Sequence, residues 1–219
     1  MKNQEHVWNE IAKQWFHFRQ RPFKDLDSIL NKAAAWKSGK ILDIGCGSCR
    51  NLLPFAKAGF HCSGIDFSKE MLKFAKQFAD ENKFKVELKQ ARAEKLPFKD
   101  NSFDYALSIA TLHHLNKEEQ IQALQEMFRV LKKDGKAIIT VWNKLQWRFI
   151  FKKKELLIPW NVQGKTYKRY YYMFNFKELK NLLKKTGFKI LKTPGMFGRN
   201  ISFVVKKTME TPEIVRRNF

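Results

Sequence analysis

Apolar and polar positions along the chain fall into two alternating rhythms. Short apolar runs end in glycine, or break into polar turns, at Lys40 to Ile44, Phe60 to Phe67, Asn101 to Ile109 and Lys136 to Trp142, and each reads as a strand. Phe84, Val86 and Leu88 alternate with Lys85, Glu87 and Lys89, the period of a strand with one solvated face, which predicts a sheet edge. Ala137 to Val141 is almost wholly apolar, as a central parallel strand should be. Between these runs the spacing changes to that of helices. Val7, Ile11 and Trp15 share one face, and a second helical run is expected from Lys24 to Trp36 after the break at Pro22. Asn51 to Ala58 ends at Gly59. Met71, Ala75 and Phe78 follow Ser68 as N-cap, and Ile121, Leu124, Phe128 and Leu131 follow the capping pair Asn116 and Glu119. A last helix over Phe176 to Lys185 stops before Gly187. Phe188 to Leu191 and Ile201 to Val205 close the pattern as two strands joined through Pro194, Gly195 and Gly198.

Strands alternating with helices predict an open α/β sheet. One stretch does not fit: Asn143 to Phe174 shows no persuasive period, and about thirty residues is too long for an idle connection in a compact domain.

The first strand leads into KILDIGCGSCRN, where Gly45 and Gly47 can bring backbone close to a ligand. A dinucleotide fingerprint would need a third glycine where Arg50 stands, which argues against NAD. Asp43 beside the turn and Asp66 at the end of the next strand suit a ligand carrying both an ammonium group and a ribose. A glycine turn with no ligand would leave Asp66 without a purpose. His113 and His114 follow the fourth strand, where open α/β sheets place their ligands. Either could line a cleft or simply bond a backbone carbonyl. Adjacent histidines with no third ligand nearby do not predict a metal site.

The 219 residues suit one domain. Three cysteines do not make a disulfide framework, and Cys46 and Cys49 lack the second pair of a zinc site. With no long apolar run and no secretory leader pattern, a cytoplasmic protein with no membrane association is expected. The net charge of +22 is uneven, because Lys144 to Phe219 holds 19 Lys and Arg against 4 Asp and Glu. A polyanion engaged by the second half is one reading; a lysine-biased surface and an anionic membrane are the others. Within 143–174, Trp147, Phe149, Phe151, Trp160, Tyr167, Tyr170, Tyr171 and Tyr172 are interleaved with lysines and arginines. That mixture suits stacked RNA bases and their phosphates, or a small satellite apolar cluster.

The Asp43, Gly45 and Gly47 pattern resembles the D-x-G-x-G-x-G motif of class I S-adenosylmethionine-dependent methyltransferases, with Cys49 at the third glycine and Asp66 at the ribose-binding acid. ARAEKLPF is similar to a later motif of that family, with Arg92 where an Asp is usual; this leaves Ala93 and Glu94 for the adenine. The resemblance implies a Rossmann-like seven-stranded mixed sheet of order 3-2-1-4-5-7-6 with strand seven antiparallel, helices on both faces, and S-adenosylmethionine as cofactor. It places Phe67 and Ile109 with Asp43, Gly45, Gly47, Cys49, Asp66, Ala93 and Glu94 around that cofactor. The V-W-N-E-I-A and R-Q-R-P-F segments, SIATLHH, IPW and KRYYYMF look like elements of the Trm9-like tRNA wobble-uridine carboxymethyl methyltransferases. That likeness implies a single domain over 1–207, with an N-terminal helical lid over 1–36 and a substrate-binding insertion over 143–174, followed by a loose basic tail over 208–219. It implies transfer of a methyl group to the carboxylate of 5-carboxymethyluridine, with Arg19, His113 and His114 at the acceptor. Trp142, Asn143, Trp160, Arg169 and Tyr170 would hold the tRNA anticodon loop, and a small zinc-binding Trm112-like activator would pair with the third-strand edge. Two rivals stand beside this reading: a methyltransferase acting on a small molecule or lipid, and a non-catalytic RNA-binding module.

Overall fold

In the computed structural model, which describes residues 4–24, 36, 38–193 and 198–208, the apolar runs line up side by side in one sheet. Helix α1 (Gln4–Phe18) comes first, then β1 (Lys40–Ile44), a 3₁₀ turn at Arg50–Leu52 running into α2 (Leu53–Lys57), β2 (His61–Asp66), α3 (Lys69–Glu81), β3 (Val86–Gln90) and β4 (Phe103–Ile109). A 3₁₀ turn at Leu112–His114 leads to α4 (Lys117–Val130) and β5 (Leu131–Trp142). The chain continues through β6 (Glu155–Val162), β7 (Lys165–Tyr172), α5 (Phe176–Lys185), β8 (Phe188–Lys192) and β9 (Asn200–Lys207).

The large sheet has the order β3-β2-β1-β4-β5-β9-β8. Strands β1 to β5 are parallel and β9 runs antiparallel to both neighbours. With β6 and β7 set aside this is the expected topology, and β3 lies at an edge as its alternation predicts. The period of two sorts the core: Leu42, Ala106, Ala137 and Ile139 pack with Leu124 and Met127 of α4 and Leu179 and Leu183 of α5. Ile41, Leu107 and Ile138 turn the other way, onto Phe16, Phe55, Ala75 and Phe78 from α1, α2 and α3. Caps at Ser68 and the Asn116/Glu119 box form as expected.

Two departures concern the later half. Strand β5 begins at Leu131 rather than Lys136, because the segment around Asp134 (φ 62°) is absorbed as an irregular register shift opposite Phe103 and Tyr105. The sequence around Gly135 looks like a helix stop, and it is also a strand irregularity. The stretch read as aperiodic is a hairpin, with β6 and β7 paired in register from Glu155–Tyr172 to Val162–Lys165 around Gln163 (φ 47°) and Gly164 (φ 80°). Pro159 masks it, since proline ordinarily argues against a strand. A two-stranded sheet has only edge strands, so the missing N–H is tolerated there.

The hairpin lies against α1. Trp160, Val162 and Tyr167 pack on Trp8, Ile11 and Ala12. The Tyr170 N–H donates to Gln4 Oε1 (2.9 Å), Gln4 Nε2 to the Lys168 carbonyl (3.2 Å) and the Tyr167 hydroxyl to Glu10 (2.8 Å). The helix expected over Lys24–Trp36, most of the Pro194–Gly198 turn and the tail after Thr208 lie outside the described residues. Among the described residues no helix is long and apolar enough to cross a membrane.

Candidate active site

The C-terminal ends of β1, β2, β4 and β5 open into a cavity of about 1370 Å³. Its floor is the first turn. The amides of Gly45 and Cys46 both donate to the Ile65 carbonyl at 2.9 and 2.8 Å, folding the turn onto β2. Gly45 (φ 72°) is required twice over, since a Cβ would also lie 2.3 Å from the Thr111 methyl. At Gly47 (φ 53°) a Cβ would meet nothing within 4 Å, so the chain there presents bare backbone to the cavity.

Asp66, buried at the end of β2, accepts the Gly47 N–H and the Ser68 N–H, each at 2.9 Å. Burial pushes its carboxyl up to about 6 against the opposing pull of those amides. Asp43 is fully buried in β1, between Gly64 of β2 and Leu107 of β4, and neither carboxylate oxygen has a hydrogen-bond partner. Burial raises it to about 7, with the Arg50 guanidinium opposing and Asp66 reinforcing the rise. A buried, unpartnered carboxylate under a glycine turn is an acceptor still to be satisfied. Phe67, Ala93, Glu94 and Ile109 line the same cavity. Arg92, standing where an acid was looked for, is itself tied to Glu94 (2.9 Å) and Glu119 (3.5 Å). Cys49 does not reach the cavity: its left-handed backbone (φ 50°) turns the thiol into the core, onto the Ala75 carbonyl at 3.2 Å.

The facing wall is aromatic. Trp8, Trp15, Trp142 and Tyr171 line it with Arg19, His113 and His114. The Arg19 guanidinium lies 5.0 Å from the Trp15 ring centroid. Arg169, 4% exposed, stands behind this wall, 5.2 Å from Trp15, 4.7 Å from Trp160 and 5.3 Å from Tyr171, and donates to the Tyr171 hydroxyl at 2.8 Å. No carboxylate among the described residues pairs with Arg19 or Arg169, and the Arg169 Nε is buried without a partner. Burial lowers the Arg169 pKa, and the charge of Arg19 adds to that. Both histidines are hydrogen-bonded to backbone, His113 by the Trp142 N–H (3.1 Å) and His114 to the Tyr170 carbonyl (2.9 Å), while their rings still line the cavity.

Of the residues expected at the acceptor, the structure thus brings Arg19, His113, His114 and Trp142 together, with Trp160 and Arg169 behind them. Asn143 and Tyr170 fall outside. Asn143 pins its own loop, accepting the Leu145 N–H and donating to the Gly198 carbonyl. Tyr170 sends its side chain into the core below the sheet and contributes only its backbone. Sequence reading did not single out Trp8, Trp15 or Thr111 as site residues, and it marked Tyr171 only as one of a group of aromatics. The seven-residue interval between the two tryptophans was a signal, but it is equally the spacing of a packed helix face.

Comparison with known proteins identifies the family and the fold. The model of a family described as a methyltransferase domain matches residues 42–139. A putative methyltransferase of Encephalitozoon cuniculi is 33% identical over 159 residues, 69% of this chain and 70% of that protein. The tRNA (carboxymethyluridine(34)-5-O)-methyltransferase of Schizosaccharomyces pombe is 26% identical over 211 residues, covering 84% and 88%. Relatives differ in size, and the matched stretch spans 65%, 70% and 46% of the length of three of them. The crystal structure of a SAM-dependent methyltransferase of Methanosarcina mazei superposes with a TM-score of 0.72 at 24% identity, over 87% of this chain and all of that one. The open backbone at Gly47, the buried acid at Asp66 and the unmet oxygens of Asp43 fit one methyl donor, S-adenosylmethionine. The chain belongs to the class I S-adenosylmethionine-dependent methyltransferases and resembles their Trm9-like tRNA branch.

Proposed function

We propose that this methyltransferase acts on tRNA and esterifies the carboxylate of a 5-carboxymethyl group on the wobble uridine. The observation that carries the reading is the cationic wall. Arg19 lines the cavity beside Trp15 and Arg169 lies buried behind the same ring, with no carboxylate of the described residues to neutralise either, which favours an anion at this wall. The basic second half of the chain and the name of the Schizosaccharomyces pombe relative point the same way.

In this reading Asp66 holds the ribose, the Gly45–Gly47 turn and Asp43 the methionyl end, and Ala93 and Glu94 the adenine edge. Cys49, buried in the core, serves only to shape the turn. The cofactor supplies an electrophilic methyl group when bound. A carboxylate acceptor is already ionised at neutral pH, so the chain need not remove a proton. What remains is alignment: Arg19 orients the carboxylate and the aromatic wall excludes water around it, which together convert an encounter into a positioned displacement. Helix α1 acts as a lid held by the hairpin, and 143–174 as the surface for the anticodon loop. A Trm112-like activator would pair along β3, the exposed sheet edge.

Trp147 and Phe151, 89% and 97% exposed, stand among Lys144, Arg148, Lys152 and Lys153 in sequence, and Trp147 and Arg148 line the cavity. Exposed aromatics amid cations offer stacking to unpaired bases. Replacing both with Ala is expected to weaken tRNA binding by about 10- to 100-fold while leaving S-adenosylhomocysteine binding unchanged, as measured by fluorescence anisotropy and calorimetry. The reading itself is tested by titrating tRNA into the protein between low and moderate salt. Affinity should fall steeply as phosphate contacts release counterions. Flat binding, or faster methylation of a small carboxylic acid or lipid than of tRNA, would favour the small-substrate rival.

A further inference from the structure

His113 and His114 are neighbours in the chain, line one wall of the cavity and show it opposite hydrogen-bonding faces. The Trp142 N–H donates to Nδ1 of His113, so that nitrogen keeps its lone pair and the ring proton sits on Nε2. Nδ1 of His114 faces the Tyr170 carbonyl, which can only accept; here the proton is on Nδ1 and Nε2 is bare. Neither Nε2 is hydrogen-bonded to a described residue, and both residues line the cavity, His113 with 1% of its surface exposed. Burial holds both rings neutral, His113 far below the usual range and His114 down to about 3, with the positive charge of Arg169 acting in the same direction. The rings are also fixed in place. His113 stacks on Tyr171 (5.2 Å, 17°), His114 meets Trp8 and Tyr171 edge-on (4.8 and 4.4 Å), and the two centroids are 4.5 Å apart.

The site therefore holds one N–H donor and one bare acceptor side by side, each set by a backbone group that cannot change its own role. We propose that His113 and His114 read the imide edge of the acceptor's pyrimidine, His113 Nε2–H donating to a ring carbonyl and His114 Nε2 accepting from the adjacent ring N3–H. Uracil presents that acceptor–donor order, whereas cytosine in the same pose presents the reverse at its amino group and bare N3, leaving two mismatched pairs. This deepens the tRNA reading and rests on it, with the 5-carboxymethyl group at Arg19 fixing the pose.

The test uses the full chain with S-adenosylmethionine and two synthetic anticodon stem–loops, one carrying 5-carboxymethyluridine and the other its N3-methyl derivative. The wild type is expected to methylate the N3-methyl RNA with kcat/KM lowered by about tenfold. His114→Ala should bring the 5-carboxymethyluridine RNA down to a similar level and lose most of that discrimination, and His114→Gln, whose amide carbonyl can accept, should restore part of it. ¹⁵N-histidine NMR of the wild type should show the two rings as opposite neutral tautomers. The inference is overturned if both rings adopt one tautomer, if the wild type methylates both RNAs equally, or if His114→Ala discriminates as the wild type does. Should His114→Ala fail to bind S-adenosylhomocysteine through misfolding, the tautomers and the wild-type ratio decide alone. If the wild type methylates neither RNA, the tRNA reading falls and this inference falls with it.

Discussion

Asp43→Asn is expected to stabilise the cofactor-free protein above pH 7 and at the same time to weaken cofactor binding by about 10- to 100-fold, the range for losing a hydrogen bond to a charged group. The two effects share one cause, a carboxylate buried without a partner. Its pKa is near 7 in the folded chain against 3.8 when unfolded. The folded state thus holds the proton more tightly, so the cost of the charge is absent below pH 3.8, grows between 3.8 and 7 and is complete above 7. The full separation corresponds to roughly 4 kcal/mol, or a rise in thermal midpoint of about 10 °C at pH 8 and none near pH 4. For the wild type, affinity for S-adenosylmethionine should drop as pH falls below 7, by up to about tenfold per pH unit, because the cationic donor meets a neutral acid. Protonation of Asp66 near pH 6 adds a second step. Titration calorimetry and thermal melts at several pH values check both halves; an Asn variant that binds like the wild type and melts no higher would show that Asp43 does not serve the donor.

Arg19→Ala is expected to lower kcat/KM for the carboxylate acceptor by about 100-fold, the cost of removing a charge-assisted contact to an anion in a partly desolvated site. Donor affinity should change far less, because Arg19 lies on the aromatic wall beside Trp15, whereas Asp66 and the Gly45–Gly47 turn are held by hydrogen bonds that do not involve it. Arg19→Lys should recover little, since a lysine cannot hold both carboxylate oxygens and stacks less well on Trp15. Steady-state kinetics with tRNA, set against calorimetry with S-adenosylhomocysteine, separates the two effects. Equal turnover by Arg19→Ala and the wild type would remove the anion-orienting role.

The donor half of the site was legible because its chemistry is local. Asp43, Gly45, Gly47 and Asp66 sit at strand ends that periodicity finds; Gly45, Gly47 and Asp66 line one cavity, and Asp43 lies fully buried in β1 next to the turn. Cys49 looked like part of the same motif, but a single positive φ turns it into the core, and spacing carries no information about φ. The acceptor half is assembled from segments far apart in the chain. Trp8 and Trp15 meet Trp160 and Tyr167 only because the β6–β7 hairpin folds onto α1, and Pro159 concealed that hairpin. In KRYYYMF, consecutive residues of a strand point to opposite faces, which sends Tyr171 to the cavity wall and Tyr170 to the core. Sequence marked the tyrosines as a group, and only the register could separate them. The tautomers of His113 and His114 likewise depend on backbone groups 29 and 56 residues away.

The most direct measurement incubates tRNA with the enzyme and S-adenosylmethionine carrying an isotopically heavy methyl group, then identifies the labelled nucleoside by mass spectrometry before and after mild alkali. The account predicts heavy methyl on a 5-carboxymethylated uridine, released by alkali as expected for an ester. Label that resists alkali, label on another nucleoside, or unlabelled tRNA alongside a methylated small molecule would contradict it.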